Sequence, residues 1–160
     1  MKIIVVGTGF VGLPHAAALS EYGHEVYAYD IDDNRINAYK TGDAFEIERY
    51  VNEPGLAAII AETKDKYLNF TTDITDLAAD TDIFFFCLNT PPKRDGSTDM
   101  SYYLNAAHHV AELLAARAEK TRVVLVNKST VPVGTARLLQ NVMNEHGVEN
   151  FGVASNPEFL

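Results

Sequence analysis

The chain has 160 residues, 47% of them hydrophobic and 22% charged, which is enough apolar material for one buried core and far from a disordered composition. A formal charge of −9, from 22 acids against 13 bases, argues against nucleic acid and anionic membrane as partners, because both surfaces repel such a chain. The single cysteine, Cys87, rules out an intramolecular disulfide framework or a multi-cysteine metal site and makes the cytoplasm the natural compartment; five histidines without ligand spacing add no metal site.

Short β-branched or aromatic runs alternate with amphipathic stretches, the pattern of a parallel sheet covered by helices. The first strand, residues 2–6, leaves no room for a signal peptide and flows into Gly7-Thr8-Gly9-Phe10-Val11-Gly12 and a helix over 11–22. The first glycine permits the tight turn from strand to helix, the second lets backbone N–H groups approach a pyrophosphate, and the third lets helix pack on strand. Anionic phosphates then sit at a helix N-terminus. Pro14 falls inside the first turn, where its missing N–H has no intrahelical partner. A second strand, 25–29, ends in Asp30, eighteen residues beyond Gly12. A carboxylate there accepts hydrogen bonds from both ribose hydroxyls of an adenosine and repels a 2′-phosphate, which predicts NAD rather than NADP as the cofactor.

Helices follow over 33–41 and 54–63, then strands over 67–71 and 82–88. The second of these strands is almost unbroken apolar sequence, as a central strand buried on both faces requires. A helix over 101–118 has Ser97, Thr98, Asp99 and Ser101 as N-cap candidates. His108 and His109, adjacent on it, point in different directions and read as surface or interface residues. A strand over 122–127, a helix over 134–146 and a strand over 151–154 complete one domain, an α/β Rossmann-type doubly wound sheet of six parallel strands. No stretch has the length of a membrane span. The stop at Leu160, with neither a helix nor a polar tail after the last strand, raises the expectation of an amino-terminal part of a longer protein.

Ligands of such sheets bind outside the carboxyl ends of the strands. There lie Cys87-Leu88-Asn89-Thr90-Pro91-Pro92-Lys93-Arg94-Asp95-Gly96-Ser97-Thr98-Asp99, Lys128-Ser129-Thr130-Val131-Pro132-Val133-Gly134-Thr135 and Asn156-Pro157-Glu158-Phe159-Leu160, hydroxyl- and proline-rich loops that suggest a rigid polar rim. Hydroxyls in such loops also bond their own turns, which is the plainer role for Thr90 and Thr130. Arg35 has a plainer role too, as a solvated charge at a helix start. Cys87, at the end of the most hydrophobic strand, reads as an inert, buried apolar residue.

Over all 160 residues the sequence resembles the UDP-glucose and GDP-mannose dehydrogenase family. The resemblance is carried by Gly7-x-Gly9-x-Val11-Gly12, Asp30, Glu53-Pro54-Gly55-Leu56, Thr90-Pro91 with Asp95-Gly96-Ser97, Lys128-Ser129-Thr130-Val131-Pro132 and Asn156-Pro157-Glu158-Phe159-Leu160. Asn89, Val51-Asn52, Pro14 and His15 depart from the usual family pattern, which blurs the choice among sugars.

The resemblance implies four-electron oxidation of a sugar-nucleotide C6 alcohol to a carboxylate with two NAD+ in succession, through a cysteine thioester that water hydrolyses. UDP-glucose, giving UDP-glucuronate, is the foremost substrate. GDP-mannose, a UDP-N-acetylhexosamine, or a stand-alone NAD-binding module without catalysis are the alternatives. It further implies NAD contacts from Gly7, Gly9, Phe10, Val11, Gly12, Asp30, Arg35, Thr90 and Thr130, with Thr130 and Glu158 orienting a catalytic water. The family's nucleophilic cysteine, its UDP-binding domain and the central helix through which such enzymes form homodimers would lie outside this chain, so the chain alone is expected to be inactive.

Overall fold

The computed structural model describes residues 1–118 and 121–157. Six strands, β1 (Lys2–Val6), β2 (Glu25–Tyr29), β3 (Leu68–Thr71), β4 (Ile83–Phe86), β5 (Val123–Asn127) and β6 (Phe151–Ser155), form one sheet in the order β3-β2-β1-β4-β5-β6. Every pairing is parallel, with Val6 level with Tyr29 on one side and Phe86 on the other. The helices are α1 (Gly12–Glu21), α2 (Asp33–Thr41), α3 (Ala44–Glu48), α4 (Leu56–Thr63), α5 (Ser101–Ala115) and α6 (Thr135–Glu145), and one 3₁₀ turn spans Leu77–Asp80.

Alternation along the strands sorts the apolar side chains onto two faces. Ile3 and Val5 of β1 join Leu13, Ala16 and Ala17 of α1, Ile36 and Tyr39 of α2, Ile47 of α3 and Ile60 of α4. Ile4 and Val6, with Phe84 and Phe86 of β4, pack against Tyr103, Ala107, Val110 and Leu114 of α5 and Leu139 and Met143 of α6. Each fully buried side chain of this size contributes about 1.5–3 kcal/mol. β1 and β4 are central and clad on both faces, so they carry much of that stabilisation.

Two glycines fix how β1 meets α1. Gly7 has φ of +94°, and a Cβ there would lie 2.6 Å from the carbonyl oxygen of Cys87. At Gly12 a Cβ would lie 1.8 Å from the carbonyl oxygen of Gly7, so only glycine lets helix and strand approach this closely. Pro14 sits in the first turn of α1, as its chemistry demands.

The elements differ from the sequence expectation mostly at their ends. β4 stops at Phe86 rather than 88, and α5 stops at Ala115 rather than 118. Helix α3 and the 3₁₀ turn were not foreseen. Among the candidate caps of α5, Asp99 alone serves its first turn, accepting from the Ser101 N–H at 2.9 Å. Met100 holds the N-cap position itself, and Ser97 bonds Asp95 instead.

Candidate functional site

The strand order reverses between β1 and β4, which open a crevice at their carboxyl ends. A cleft of about 740 Å3 there is lined by the Gly7–Gly9 turn, Asp30 to Asp32, Arg35 and the 87–91 loop. Nothing lies within 4 Å of where a Cβ of Gly9 would stand, so its absent side chain leaves the turn open to a ligand. No side chain caps α1, whose N-cap position is Val11, whereas Asp32 and Asp43 cap α2 and α3. Of the first amides of α1, the Leu13 N–H already bonds the Gly9 carbonyl at 3.1 Å and Pro14 has none, so an anion there would draw on the amides of the turn before them. Phe10 projects away from the core at 73% exposure.

Asp30, only 8% exposed, is the most heavily bonded group of the cleft. Its Oδ2 accepts from the Thr8 N–H, the Thr8 hydroxyl and Arg35 Nη1, each at 2.9 Å, and its Oδ1 accepts from the Asp32 N–H at 3.1 Å. Burial alone raises the carboxyl pKa, but the Thr8 and Asp32 donors and the Arg35 charge outweigh it and hold the group below the ordinary aspartate value. A carboxylate offers about four acceptor sites, two per oxygen. Oδ2 is thus filled and Oδ1 has one site left. Oδ1 is therefore the oxygen of Asp30 with more room for a further donor. Arg35 lies over the Tyr50 ring at 5.7 Å, and its buried Nε has no hydrogen-bond partner among the described residues.

Beyond Asp30 the cleft continues into an apolar cavity of about 280 Å3. Tyr102, Asn105, Ala106 and His109 line it from one face of α5, at the spacing that stacks side chains along a helix. His109 thus faces the site, while His108 bonds His146 at 3.0 Å between α5 and α6. The sequence separated the two histidines but did not single out His109, because an α5 stripe of Tyr, Asn, Ala and His has no motif signature.

The loops after β4 and β5 and the end of β6 are cross-tied. Ser129 Oγ accepts from the Leu88 N–H at 2.7 Å and donates to the Phe86 carbonyl at 3.0 Å. Thr90 donates to the Thr130 carbonyl at 2.8 Å, and Lys128 donates to Asn156 Oδ1 at 3.2 Å. The structure thus gathers Gly7, Gly9, Asp30, Arg35 and Thr90 on one cleft and sets Thr130 on the adjoining loop. Glu158 lies outside the described residues. Cys87 is buried at 7% exposure in the core beneath the glycine turn. Among the described residues no group of three or more His, Cys, Asp or Glu could hold a metal ion.

Strand order, glycine turn, uncapped α1 and a carboxylate at the end of β2 together define the dinucleotide-binding domain of a dehydrogenase. The chain matches the UDP-glucose/GDP-mannose dehydrogenase family, NAD binding domain, over residues 1–160. It belongs to that family, and its cofactor is NAD. It is 40% identical over 162 residues to the UDP-glucose 6-dehydrogenase TuaD of Bacillus subtilis, covering 99% of this chain and 33% of that protein. Among solved structures, a ternary complex of GDP-mannose dehydrogenase from Pseudomonas aeruginosa aligns with a TM-score of 0.89 at 31% identity, over 100% of this chain and 36% of that one. UDP-glucose dehydrogenase from Pyrobaculum islandicum gives 0.87 at 34% identity, over 99% of this chain and 36% of that one. The chain spans about a third of the length of these relatives. No helix among the described residues is long and apolar enough to cross a membrane.

Proposed function

We propose that this chain supplies the NAD-binding domain of a nucleotide-sugar 6-dehydrogenase that oxidises the C6 alcohol of UDP-glucose to UDP-glucuronate with two NAD+ in succession. Family membership over residues 1–160 carries the reading. Several UDP-glucose 6-dehydrogenases at 37–40% identity favour UDP-glucose. GDP-mannose is the second reading, favoured by the 0.89 alignment with a GDP-mannose dehydrogenase.

In this reading the turn Gly7 to Gly12 holds the pyrophosphate, and Asp30 with Arg35 holds the adenosine ribose. Thr90 and Thr130 lie along the cofactor, and NAD+ supplies a hydride acceptor when bound. Thr130 and Glu158 orient the water for proton transfer and thioester hydrolysis; a threonine hydroxyl both donates to and accepts from one water, and a carboxylate in a closed pocket can serve as general base. Cys87, buried in the core, is not the nucleophile; the thiol, the UDP-binding residues and the dimer contact belong to parts of such enzymes outside this chain.

The test is turnover of the protein carrying this chain with UDP-glucose, GDP-mannose and UDP-N-acetylhexosamines, counting NADH released per sugar. The expected result is two NADH per UDP-glucose and none from residues 1–160 alone. A protein that turns over none of these sugars would refute the reading, as would activity of residues 1–160 abolished by Cys87→Ser.

A further inference from the structure

We propose that Thr8, the variable residue of the glycine turn, is a positioning residue that aims Asp30 at the ribose and locks the phosphate loop to the ribose acid. This rests on the reading of Asp30 as the ribose ligand. Thr8 is fully buried, and each of its polar atoms is bonded toward the ribose side of the cleft. Its N–H and its hydroxyl both donate to Asp30 Oδ2 at 2.9 Å, and its carbonyl accepts from the Tyr39 hydroxyl at 2.9 Å. Tyr39 is itself wholly buried in α2, the helix that also carries Arg35.

The consequence for binding follows from acceptor counting. Two donors from one residue, with Arg35 as a third, occupy Oδ2 and fix the rotation of the carboxylate. Oδ1, bonded only by the Asp32 N–H, is then the oxygen with room for a ribose hydroxyl. A carboxylate that has lost one of these donors rotates more freely and must be ordered again when NAD binds, at a cost in affinity. Because Thr8 also belongs to the turn beneath the pyrophosphate, ribose and phosphate contacts are set by one rigid unit. A purely structural Thr8 would fill space, and valine, which has the same shape, would replace it without effect on binding.

The experiment is calorimetric titration of NAD+ into the wild-type chain, Thr8→Val, Thr8→Ser, Asp30→Asn and the double variant Thr8→Val/Asp30→Asn. Ordering one freed side chain again on binding costs about two- to tenfold in an equilibrium constant. Thr8→Val should therefore weaken NAD+ by about two- to tenfold, and Thr8→Ser, which keeps the hydroxyl, should restore most of it. In the Asp30→Asn background Thr8→Val should cost little further, since the two residues act through one interaction. If Thr8→Val does not fold, Thr8→Ala, which removes the hydroxyl without adding bulk, takes its place. Wild-type affinity in the hydroxyl-free variant, or an equal loss with and without Asp30, overturns the proposal. Failure of the wild-type chain to bind NAD+ would instead overturn the cofactor site on which it rests.

Discussion

Asp30 joins folding to the proposed ribose site through one set of hydrogen bonds. Its pKa is held below the ordinary value of 3.8, so the folded state binds the proton less readily than the unfolded chain. The sign follows: the stabilisation is fully present above the ordinary value and is lost as pH falls through the lowered one. Replacing Asp30 by asparagine should cost about 1.5–3 kcal/mol at neutral pH, the range for hydrogen bonds to a charged group. That difference between wild type and variant should narrow steadily as the pH is lowered through and below 3.8. Urea midpoints of both proteins across pH 7 to pH 3 measure it; a gap that is constant with pH would show that the Asp30 charge contributes nothing to folding. Thr8 stayed hidden from the sequence for a plain reason. In a glycine pattern the intervening positions are free to vary, and only the fold brings that hydroxyl to a carboxylate twenty-two residues away.

At the scale of elements, what was legible had strong periodicity or capping chemistry. The strands β1 and β2 and the helix α2 fall where the apolar pattern puts them, and the structure adds the Asp32 cap of α2. Helix α3 has the same signal in miniature, with Asp43 accepting from the Glu46 N–H at 3.0 Å, but five residues are too few for an amphipathic period to show. The 3₁₀ turn Leu77–Asp80 depends on a tertiary partner that local pattern cannot reveal. Arg117, 7% exposed just beyond α5, donates to the Ala79 carbonyl at 2.7 Å and the Thr81 carbonyl at 2.8 Å. Arg117→Met should lower stability by about 1–3 kcal/mol, because it leaves the buried Thr81 carbonyl without its donor. NAD+ affinity should stay unchanged, since Arg117 lines neither the cleft nor the apolar cavity. Denaturant unfolding together with a cofactor titration checks both halves, and an unchanged unfolding midpoint would show that the contact is dispensable.

For the molecule as a whole, the parallel sheet order sets the ligand crevice, and charge decides which dinucleotide enters it. The chain carries −9 overall, and Arg35, the one base among the described residues that line the cleft, is already paired with Asp30, with Asp32 beside them. An added 2′-phosphate would meet two carboxylates and a cation whose charge is committed, an arrangement that disfavours it in a partly desolvated site. The glycine turn and NAD as the cofactor were legible in the first thirty residues, and the carboxylate that ends β2 was visible there too. The apolar cavity beneath α5 was not, because it exists only where the ends of β1 and β2, the loop after β4 and α5 converge. The most direct measurement is calorimetric titration of the chain with NAD+ and with NADP+ in one buffer. Binding of NAD+ at least about tenfold tighter than NADP+, a difference of about 1.4 kcal/mol, is the predicted result. Equal or tighter binding of NADP+ would contradict it and show that Arg35 leaves Asp30 to take the 2′-phosphate.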